Sequence, residues 1–279
     1  MKLFKTKDAV LLQTTDAIFR LDNQDWDALV NMENLYGFLE AYANTHVSIE
    51  STIDDKQLEA PIGTHEIWAA GVTYLRSKEA RMDEAKDSGG ADFYAKVYEA
   101  KRPELFFKST AARSAGPDQE VFIRKDSHWN VPEPELTLFA NASGKIVGYT
   151  IGDDMSSRDI EGENPLYLPQ AKCYQRAAAI GPCLLVTSKP IDADTQIHMS
   201  IERNKEIVFN GSISINQMKR KHDELISYLF MEMDFPQGVY LMTGTCLVPP
   251  NDFTLAAEDL VHISIDGIGS LRNKVAVKP

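Results

Sequence analysis

The sequence predicts an α+β protein that is mostly β, with a small N-terminal α/β domain before a larger β-rich domain. Three observations support this prediction. Apolar runs at strand spacing dominate the chain after residue 101, one amphipathic helix interrupts them, and the first 60 residues combine short strands with a helix. At 279 residues, 43% of them hydrophobic, the chain is long enough for a large core and a smaller one. We therefore expect domains at 1–60 and 61–279.

The N-terminal domain is predicted from a strand-rich stretch followed by a helix. Short strands are expected around Ala9 to Arg20, and then a helix near Asn31 to Asn44, opened by Asp25-Trp26-Asp27. Residues 53–63 are polar and end in Ala-Pro-Ile-Gly, which is typical of a linker. This linker lies at the expected boundary between the two domains.

A helical lid is predicted near residues 75–101. Charged residues and alanines from Leu75 to Lys86 have a helical pattern, Gly89-Gly90 interrupts it, and Asp92 to Lys101 resumes it. Two helices hinged on glycines are typical of a segment that closes over a site. A surface helical insertion explains the same pattern equally well.

The rest of the chain is predicted to be mainly strands. A hairpin is expected from Leu136–Phe139 and Lys145–Ile151, joined at Asn141-Ala-Ser-Gly144, and a helix near Lys221 to Met233. Further strands are expected at Glu120–Ile123, Gly181–Thr187, Ile197–Arg203, Lys205–Ser214, Val239–Leu247 and Leu260–Ile265. Thr243-Gly244-Thr245 within one of these strands predicts close approach of the backbone to a site.

The run Glu133-Pro134-Glu135 is the strongest candidate for a metal site. Side chains two apart in a strand point to the same face, with Cα atoms about 6.5 Å apart, so both glutamates can reach one ion. Asp154 lies just past the far end of the hairpin and can add a third oxygen. Oxygen ligands suit Mg²⁺, Mn²⁺ or Ca²⁺ rather than zinc. The alternative is a solvated strand face, which is common for an isolated Glu-x-Glu in an acidic chain.

An ordered series of motifs surrounds these carboxylates. The series comprises Glu133-x-Glu135, Gly148-Tyr-Thr-Ile-Gly-Asp-Asp-Met-Ser-Ser-Arg-Asp159, Ala171-Lys172, Ile180-Gly-Pro182 and Thr243-Gly-Thr245. From about Trp68 to the C-terminus the chain resembles the fumarylacetoacetate hydrolase superfamily. The resemblance implies a mixed β-sandwich roll and a Mg²⁺ or Mn²⁺ ion on Glu133, Glu135 and Asp154 that chelates a 2-oxo acid. It also implies substrate or catalytic roles for Lys172 and Thr245.

One departure from the hydrolases of this superfamily bears on the reaction. Hydrolytic members follow a Gly-x-Asn-Tyr segment with a histidine and a glutamate that activate water, whereas this chain has Gly71-Val-Thr-Tyr74 and Ser77 in place of the histidine. An imidazole can accept a proton from water near neutral pH, but a serine hydroxyl cannot. The runs 70–77, 102–108 and 126–135 instead resemble the 2-keto-3-deoxy-pentonate (arabinonate/xylonate) dehydratases. That resemblance implies a role in proton transfer for Glu104.

The expected function is therefore the Mg²⁺-dependent dehydration of a 2-keto-3-deoxy sugar acid. Lys172 and Glu104 are the candidates for the base and the acid, and the sequence leaves open which is which. The alternative is hydrolysis or decarboxylation of an acylpyruvate or a related diketo acid. A calcium-stabilised carbohydrate-binding β-sandwich is a third hypothesis, in which Lys172 and Glu104 would have no purpose.

Three further residues are candidates for substrate contact. Arg76 and Ser77 lie where a lid would close, and an arginine can hold a carboxylate with two parallel hydrogen bonds. Lys108 ends the apolar run Leu105-Phe-Phe107, and a buried lysine requires a partner. Arg158 and Asp159 are expected to form a structural ion pair.

Composition limits the remaining function classes. The chain has 29 Lys plus Arg against 41 Asp plus Glu, a net charge of −12, which disfavours binding to nucleic acid or to an anionic membrane. Three cysteines without Cys-x-x-Cys spacing favour a reducing compartment. The apolar run Ala9-Val-Leu-Leu12 is too short for a signal or membrane segment. We expect a cytoplasmic enzyme with a small-molecule 2-oxo acid substrate, and the superfamily resemblance implies a homodimer.

Overall fold

Two large β-sheets form the body of the computed structural model, which describes residues 1–50, 52–75 and 96–279. The strands are β1 Lys2–Lys5, β2 Val10–Gln13, β3 Ile18–Leu21, β4 Glu66–Gly71, β5 Glu104–Thr110, β6 Ser114–Ala115, β7 Glu120–Ile123, β8 Asn130–Val131, β9 Pro134–Ala140, β10 Ile146–Asp154, β11 Ser156–Ser157, β12 Ala178–Leu185, β13 Gln196–Arg203, β14 Glu206–Ser214, β15 Val239–Met242, β16 Leu260–Ile265 and β17 Gly269–Val277. Within the described ranges, the complete α-helices are α1 Trp26–Val30, α2 Leu35–Thr45, α3 Arg158–Glu163, α4 Leu168–Lys172 and α5 His222–Leu229. The predicted α+β, mostly β fold is confirmed.

The larger sheet has the strand order β3-β2-β1-β12-β10-β9-β15-β4-β5, with β6 paired to β12. The smaller sheet has the order β14-β13-β16-β17-β7, and β8 pairs with β11. Leu136 and Leu138 of β9 pack in a core that includes Ile197 and Ile263 of the smaller sheet. Phe139, which follows Leu138 and so points to the opposite face of the strand, packs in a second core with the N-terminal segment. The strands that carry the candidate site are therefore covered on both faces.

The N-terminal segment is hydrogen-bonded into the larger sheet. Strand β1 pairs with β12, with Leu3 opposite Leu184, and α1 and α2 cover the second core. The predicted division of the chain at residue 60 stays a prediction. Of the predicted lid near 75–101, residues 76–95 lie outside the described residues.

The helices near the N-terminus and near residue 221 differ from the predicted ones. The helix predicted at Asn31–Asn44 is α2, which begins only at Leu35 because Asn34 caps it by accepting a hydrogen bond from Gly37 N at 3.2 Å. The separate short helix α1 precedes it. The helix predicted at Lys221–Met233 ends at Leu229. Phe230 is its C-cap, and the N–H of Phe230 donates to Ile226 O at 3.0 Å.

The strand predicted at Val239–Leu247 also ends early, at Met242. Gly244 has a φ of +93°, a left-handed conformation that leaves the extended geometry of a strand. Thr243-Gly244-Thr245 therefore forms a loop after β15 and not the middle of a strand. The close approach of its backbone to the site was predicted and is observed, because Gly244 N donates to Glu135 Oε2 at 2.6 Å.

Candidate active site

The predicted metal carboxylates lie together at one end of the β9–β10 pair. Glu135 is opposite Gly152 in the antiparallel register, and Asp154 N donates to Glu133 O at 2.9 Å. One oxygen from each of Glu133, Glu135 and Asp154 lies within 4.8 Å of the others. All three side chains are buried, at 5%, 2% and 1% exposure. Asp154 is the last residue of β10, where the sequence predicted it just beyond the strand.

Lys172 faces these carboxylates from the end of α4. Its side chain is fully buried, and Nζ lies 2.6 Å from Glu133 Oε2 and 3.0 Å from Asp154 Oδ2. Nζ also donates to the hydroxyl of Ser156 and lies 3.3 Å from Glu161 Oε1. The predicted neighbourhood of the lysine and the metal carboxylates is therefore present in the structure.

Two further buried cations support the carboxylates. Arg158 Nη1 donates to Glu133 Oε1 at 3.2 Å. Lys108 Nζ lies 2.5 Å from Asp154 Oδ1 and donates to the carbonyls of Met155 and Lys172 at 2.9 and 2.6 Å. With three oxygens around a fully buried amine, Lys108 lies behind Asp154 and outside the cavity lining. This position differs from the expected contact between Lys108 and substrate.

The charges of the site fit a divalent cation. Among the described residues, five buried carboxyl groups meet three buried cations there, so the carboxylates outnumber the cations by two; the groups are Glu133, Glu135, Asp153, Asp154 and Glu161, and Lys108, Arg158 and Lys172. Burial, followed by repulsion from Asp154 and Glu133, raises the pKa of Glu135 well above its usual value. Burial and the neighbouring Asp154 raise the pKa of Asp153 to about 8. A bound Mg²⁺ would neutralise this excess and lower both pKa values.

A small cavity opens beside these groups. Its volume is about 30 Å³, enough for roughly two water molecules. The residues that line it include the three carboxylates, Lys172, Arg158 and Thr245. Thr245 was predicted to contact substrate, and its hydroxyl accepts a hydrogen bond from Leu247 N at 3.2 Å. Phe106 and Val248 add apolar surface.

Glu104 lies at the start of β5, outside the cavity lining but next to a glycine that belongs to it. Gly71 of β4 is opposite it in the antiparallel register and lines the cavity. A Cβ at Gly71 would overlap the Glu104 carboxylate, so the glycine is what lets this side chain lie against β4. The position agrees with the predicted role of Glu104 in proton transfer, which stays a prediction.

The loop after β4 is tied to the loop after β15. Val72 lines the cavity with a φ of +53°, a conformation that costs a β-branched residue roughly 1–3 kcal/mol. Thr73 holds the loop in place, since its hydroxyl donates to Thr243 O at 2.8 Å and its carbonyl accepts from Lys219 N at 2.9 Å. The contacts of Thr73 keep Gly244 beside Glu135.

Sequence reasoning missed some residues of the site, and two of the residues that it predicted lie outside the described ranges. Asp153, Glu161 and the contact of Arg158 with Glu133 were not predicted. The signal for Arg158 and Glu161 is their spacing of three residues, which puts both on one face of a helix. Asp159 does not pair with Arg158; it accepts from Ser127 Oγ at 2.6 Å and from His128 N at 2.7 Å. Arg76 and Ser77 lie outside the described residues.

Comparison with known proteins agrees with this geometry. The family described as fumarylacetoacetate (FAA) hydrolase C-terminal matches residues 66–276. A protein of Haloferax volcanii named a probable 2-keto-3-deoxyxylonate dehydratase is 45% identical over 229 residues, 81% of this chain and 78% of the relative. A 2-dehydro-3-deoxy-D-arabinonate dehydratase of Saccharolobus solfataricus is 43% identical over 222 residues, 78% of this chain and 74% of the relative.

A solved structure extends the similarity to the whole chain. It is described as 2-keto-3-deoxy-D-arabinonate dehydratase complexed with magnesium and 2,5-dioxopentanoate. It has a TM-score of 0.82 and 34% sequence identity, and the match covers 100% of this chain and 99% of the other. The predicted roll of the fumarylacetoacetate hydrolase type is thereby confirmed. The chain belongs to the fumarylacetoacetate hydrolase family.

Proposed function

We propose that this protein is a magnesium-dependent dehydratase of a 2-keto-3-deoxy-pentonate. The observation that carries the proposal is the fully buried Lys172 amine, 2.6 and 3.0 Å from two carboxylates of a three-carboxylate cluster. A structural ion pair does not require two extra carboxylates or an adjacent cavity. Two relatives that are 45% and 43% identical are named as dehydratases of 2-keto-3-deoxy-pentonates, which supports the same reaction here.

Glu133, Glu135 and Asp154 would hold the metal ion. Carboxylate oxygens are the ligands that Mg²⁺ prefers, and the excess of two buried carboxyl groups over buried cations among the described residues suits a doubly charged ion. Polarisation of the 2-oxo group is the chemistry that the ion supplies when bound, and it makes the protons on C3 more acidic. We propose Mg²⁺ as the native ion, with Mn²⁺ as an alternative of similar preference.

The residues of the chain then move two protons. We assign Lys172 and Glu104 to this pair of transfers: one takes a proton from C3, and the other protonates the hydroxyl that leaves C4. The electron pair of the C3–H bond forms the new double bond, and water leaves. Tautomerisation gives an acid with two carbonyl groups and the mass of the substrate minus water. Arg158 and Gly244 N–H hold Glu133 and Glu135 in place during these steps.

The decisive experiment is a screen of 2-keto-3-deoxy-pentonates and acylpyruvates with Mg²⁺, with and without a chelator. We expect a single product, lighter than the substrate by one water, which forms only without the chelator. Parallel reactions with Mn²⁺ and Ca²⁺ test the choice of ion. Two smaller acids from an acylpyruvate would show carbon–carbon hydrolysis instead, and no turnover of any 2-oxo acid would overturn the assignment of an enzyme.

Replacement of Lys172 tests its role in the reaction. We expect Lys172→Met to abolish turnover, because methionine fills a similar volume but transfers no proton. Mg²⁺ affinity, measured by calorimetry, should be retained because the three carboxylates remain. Lys125→Met, at an exposed position, is the matched control and should behave as wild type. Turnover retained in Lys172→Met would show that another group transfers the proton.

The predicted homodimer and the predicted cytoplasmic location stay predictions.

A further inference from the structure

Glu161 is a buried carboxylate beside Lys172 to which the proposed reaction has so far given no role. Its side chain is 1% exposed and lies on α3, three residues after Arg158. Oε1 lies 3.3 Å from Lys172 Nζ, and Oε2 lies 4.0 Å from Arg158 Nη1. A charged group is buried this deeply only beside an opposite charge. The nearer of these two cations is Lys172.

Glu161 differs from the other carboxylates around Lys172 because it does not belong to the cluster that can hold a metal. That cluster is Glu133, Glu135 and Asp154. Among the described residues, the carboxylates within 3.3 Å of the Lys172 amine are Glu133, Asp154 and Glu161. The first two would share their charge with a bound cation, whereas Glu161 would keep its charge for the lysine.

A bound cation would change which groups hold the Lys172 amine in position during the reaction. A bound cation repels an ammonium group and withdraws the attraction of Glu133 and Asp154 from it. Ser156 also accepts a hydrogen bond from the amine, but its hydroxyl is neutral and does not balance the charge. We propose that Glu161 is a positioning residue that holds the Lys172 amine beside the cavity once Glu133 and Asp154 bind the cation. The inference rests on the proposed catalytic role of Lys172.

The kinetic test compares three variants. Glu161→Gln keeps the shape of the side chain and removes its charge, Glu161→Asp keeps the charge and shortens the reach, and Glu163→Gln alters an exposed glutamate of the same helix. For Glu161→Gln we expect kcat to fall roughly 10- to 100-fold, the usual effect of removing such a supporting contact. KM and the Mg²⁺ affinity from calorimetry should stay close to wild type, because Glu161 contacts neither substrate nor ion. Glu161→Asp should recover part of kcat, and Glu163→Gln should match wild type.

A purely structural role would give a different result. Glu161→Gln would then unfold at a lower temperature, while kcat per folded molecule stayed at the wild-type value. That outcome would overturn the inference, and so would a weakened Mg²⁺ affinity with unchanged kcat, which would make Glu161 a support of the metal site.

A crystallographic readout separates this inference from the proposed reaction. If the wild type dehydrates no 2-keto-3-deoxy-pentonate, the proposed function fails, and crystal structures of the magnesium-loaded proteins still test Glu161. We expect Lys172 Nζ to remain in contact with Glu161 in the wild type and to leave that position in Glu161→Gln. The same amine position in both proteins would overturn the inference. If Glu161→Gln does not fold, the magnesium-loaded wild type alone tests the inference. Loss of the contact between Lys172 Nζ and Glu161 in that structure would overturn it.

Discussion

At the scale of single residues, the two buried lysines of the site have different tasks. Lys172 lines the cavity, whereas Lys108 lies behind Asp154 and outside the cavity lining. The Lys108 amine is surrounded by Asp154 Oδ1 and two backbone carbonyls, one of them that of Lys172 itself. Lys108 therefore connects Asp154, a predicted metal ligand, to the end of α4, where Lys172 lies.

Replacement of Lys108 should reduce stability more than it changes substrate binding. Lys108→Met leaves Asp154 buried with one cationic partner fewer, and loss of one partner of a buried ion pair costs about 3–5 kcal/mol. Urea unfolding in the presence of a chelator measures this loss, with the exposed Lys125→Met as the control. A normal free energy of unfolding together with a raised KM would instead support the original expectation that Lys108 contacts substrate.

At the scale of elements, the loop after β15 shapes one side of the metal site. Gly244 has a φ of +93°, and its N–H reaches Glu135 Oε2 at 2.6 Å. A Cβ at this position would overlap the Thr73 hydroxyl and approach Ala70 O to 2.9 Å. Only glycine lets the loops after β4 and β15 pack this closely.

Two glycine variants separate the effect of backbone strain from that of the close approach. Gly244→Ala and Gly267→Ala both place alanine at a positive φ, which costs roughly 1–2 kcal/mol. Gly267 lies in the turn between β16 and β17, where the nearest atom to an added Cβ is 4.0 Å away. We expect only Gly244→Ala to weaken Mg²⁺ binding, by roughly 10-fold or more in calorimetry. Equal Mg²⁺ affinities in the two variants would contradict this role of the loop.

The junction between α1 and β4 contains a buried histidine. His65 is 2% exposed and packs edge-on against Phe139 and Tyr240, with ring centroids at 5.0 and 5.5 Å. Its Nδ1 accepts from Gly63 N at 3.2 Å and so carries no proton. The 3.4 Å approach of Asp27 to this nitrogen is therefore not an ion pair. Burial lowers the pKa of His65, and the nearby Asp27 opposes that effect only in part.

A lowered histidine pKa makes stability depend on pH on the acid side. Below the unfolded-state pKa of about 6.5, the unfolded chain binds a proton that folded His65 does not bind. The contribution is therefore complete above about pH 6.5 and is lost as the pH falls through the folded-state pKa. We expect His65→Gln to flatten the decline of the melting temperature below pH 6.5, relative to wild type and to His262→Gln at an exposed position. His222, whose pKa is also lowered by burial, should maintain part of the decline. An unchanged decline in His65→Gln would show that His65 titrates alike in both states.

At the scale of the whole molecule, the protein buries more carboxyl groups than cations where we propose that it binds a metal ion. The net charge is −12, and the buried carboxylates of the site outnumber its buried cations by two among the described residues. An anionic substrate is repelled at long range by such a surface. The attraction for it must come from the site itself, through a bound cation. None of the helices in the described ranges is long and apolar enough to cross a bilayer.

Metal binding should therefore stabilise the entire fold. A ligand that binds only the folded state at 100 times its Kd adds about 2.7 kcal/mol to the free energy of unfolding. We expect Mg²⁺ to raise the melting temperature relative to NaCl of equal ionic strength, and Asp154→Asn to remove the increase. The Asp154→Asn variant without metal is the necessary reference, because it also relieves repulsion around Glu135. A rise of equal size in that variant would place the stabilising ion elsewhere.

Much of the fold and the core of the site could be predicted from local patterns. The strands at Glu120–Ile123 and Leu260–Ile265 have the predicted bounds, because a short apolar run marks the first and alternation of apolar and polar residues marks the second. Glu133 and Glu135 were predicted to converge because a strand imposes a two-residue period. The early ends of β15 and α5 were not predicted. The end of β15 coincides with a hydrogen bond from Gly244 N to Glu135, residues that are far apart in the sequence.

The sequence by itself determined the α+β class, the family, the three candidate metal carboxylates and the lysine beside them. These features follow from strand periodicity and from motifs in a known order, both of which are local. Only the tertiary structure decided that Lys108 supports Asp154, that Arg158 contacts Glu133 and that Glu161 adjoins Lys172. Such pairings depend on how α3, α4 and β5 pack around the end of the β9–β10 pair, because burial and opposite charge bring together residues that the sequence separates.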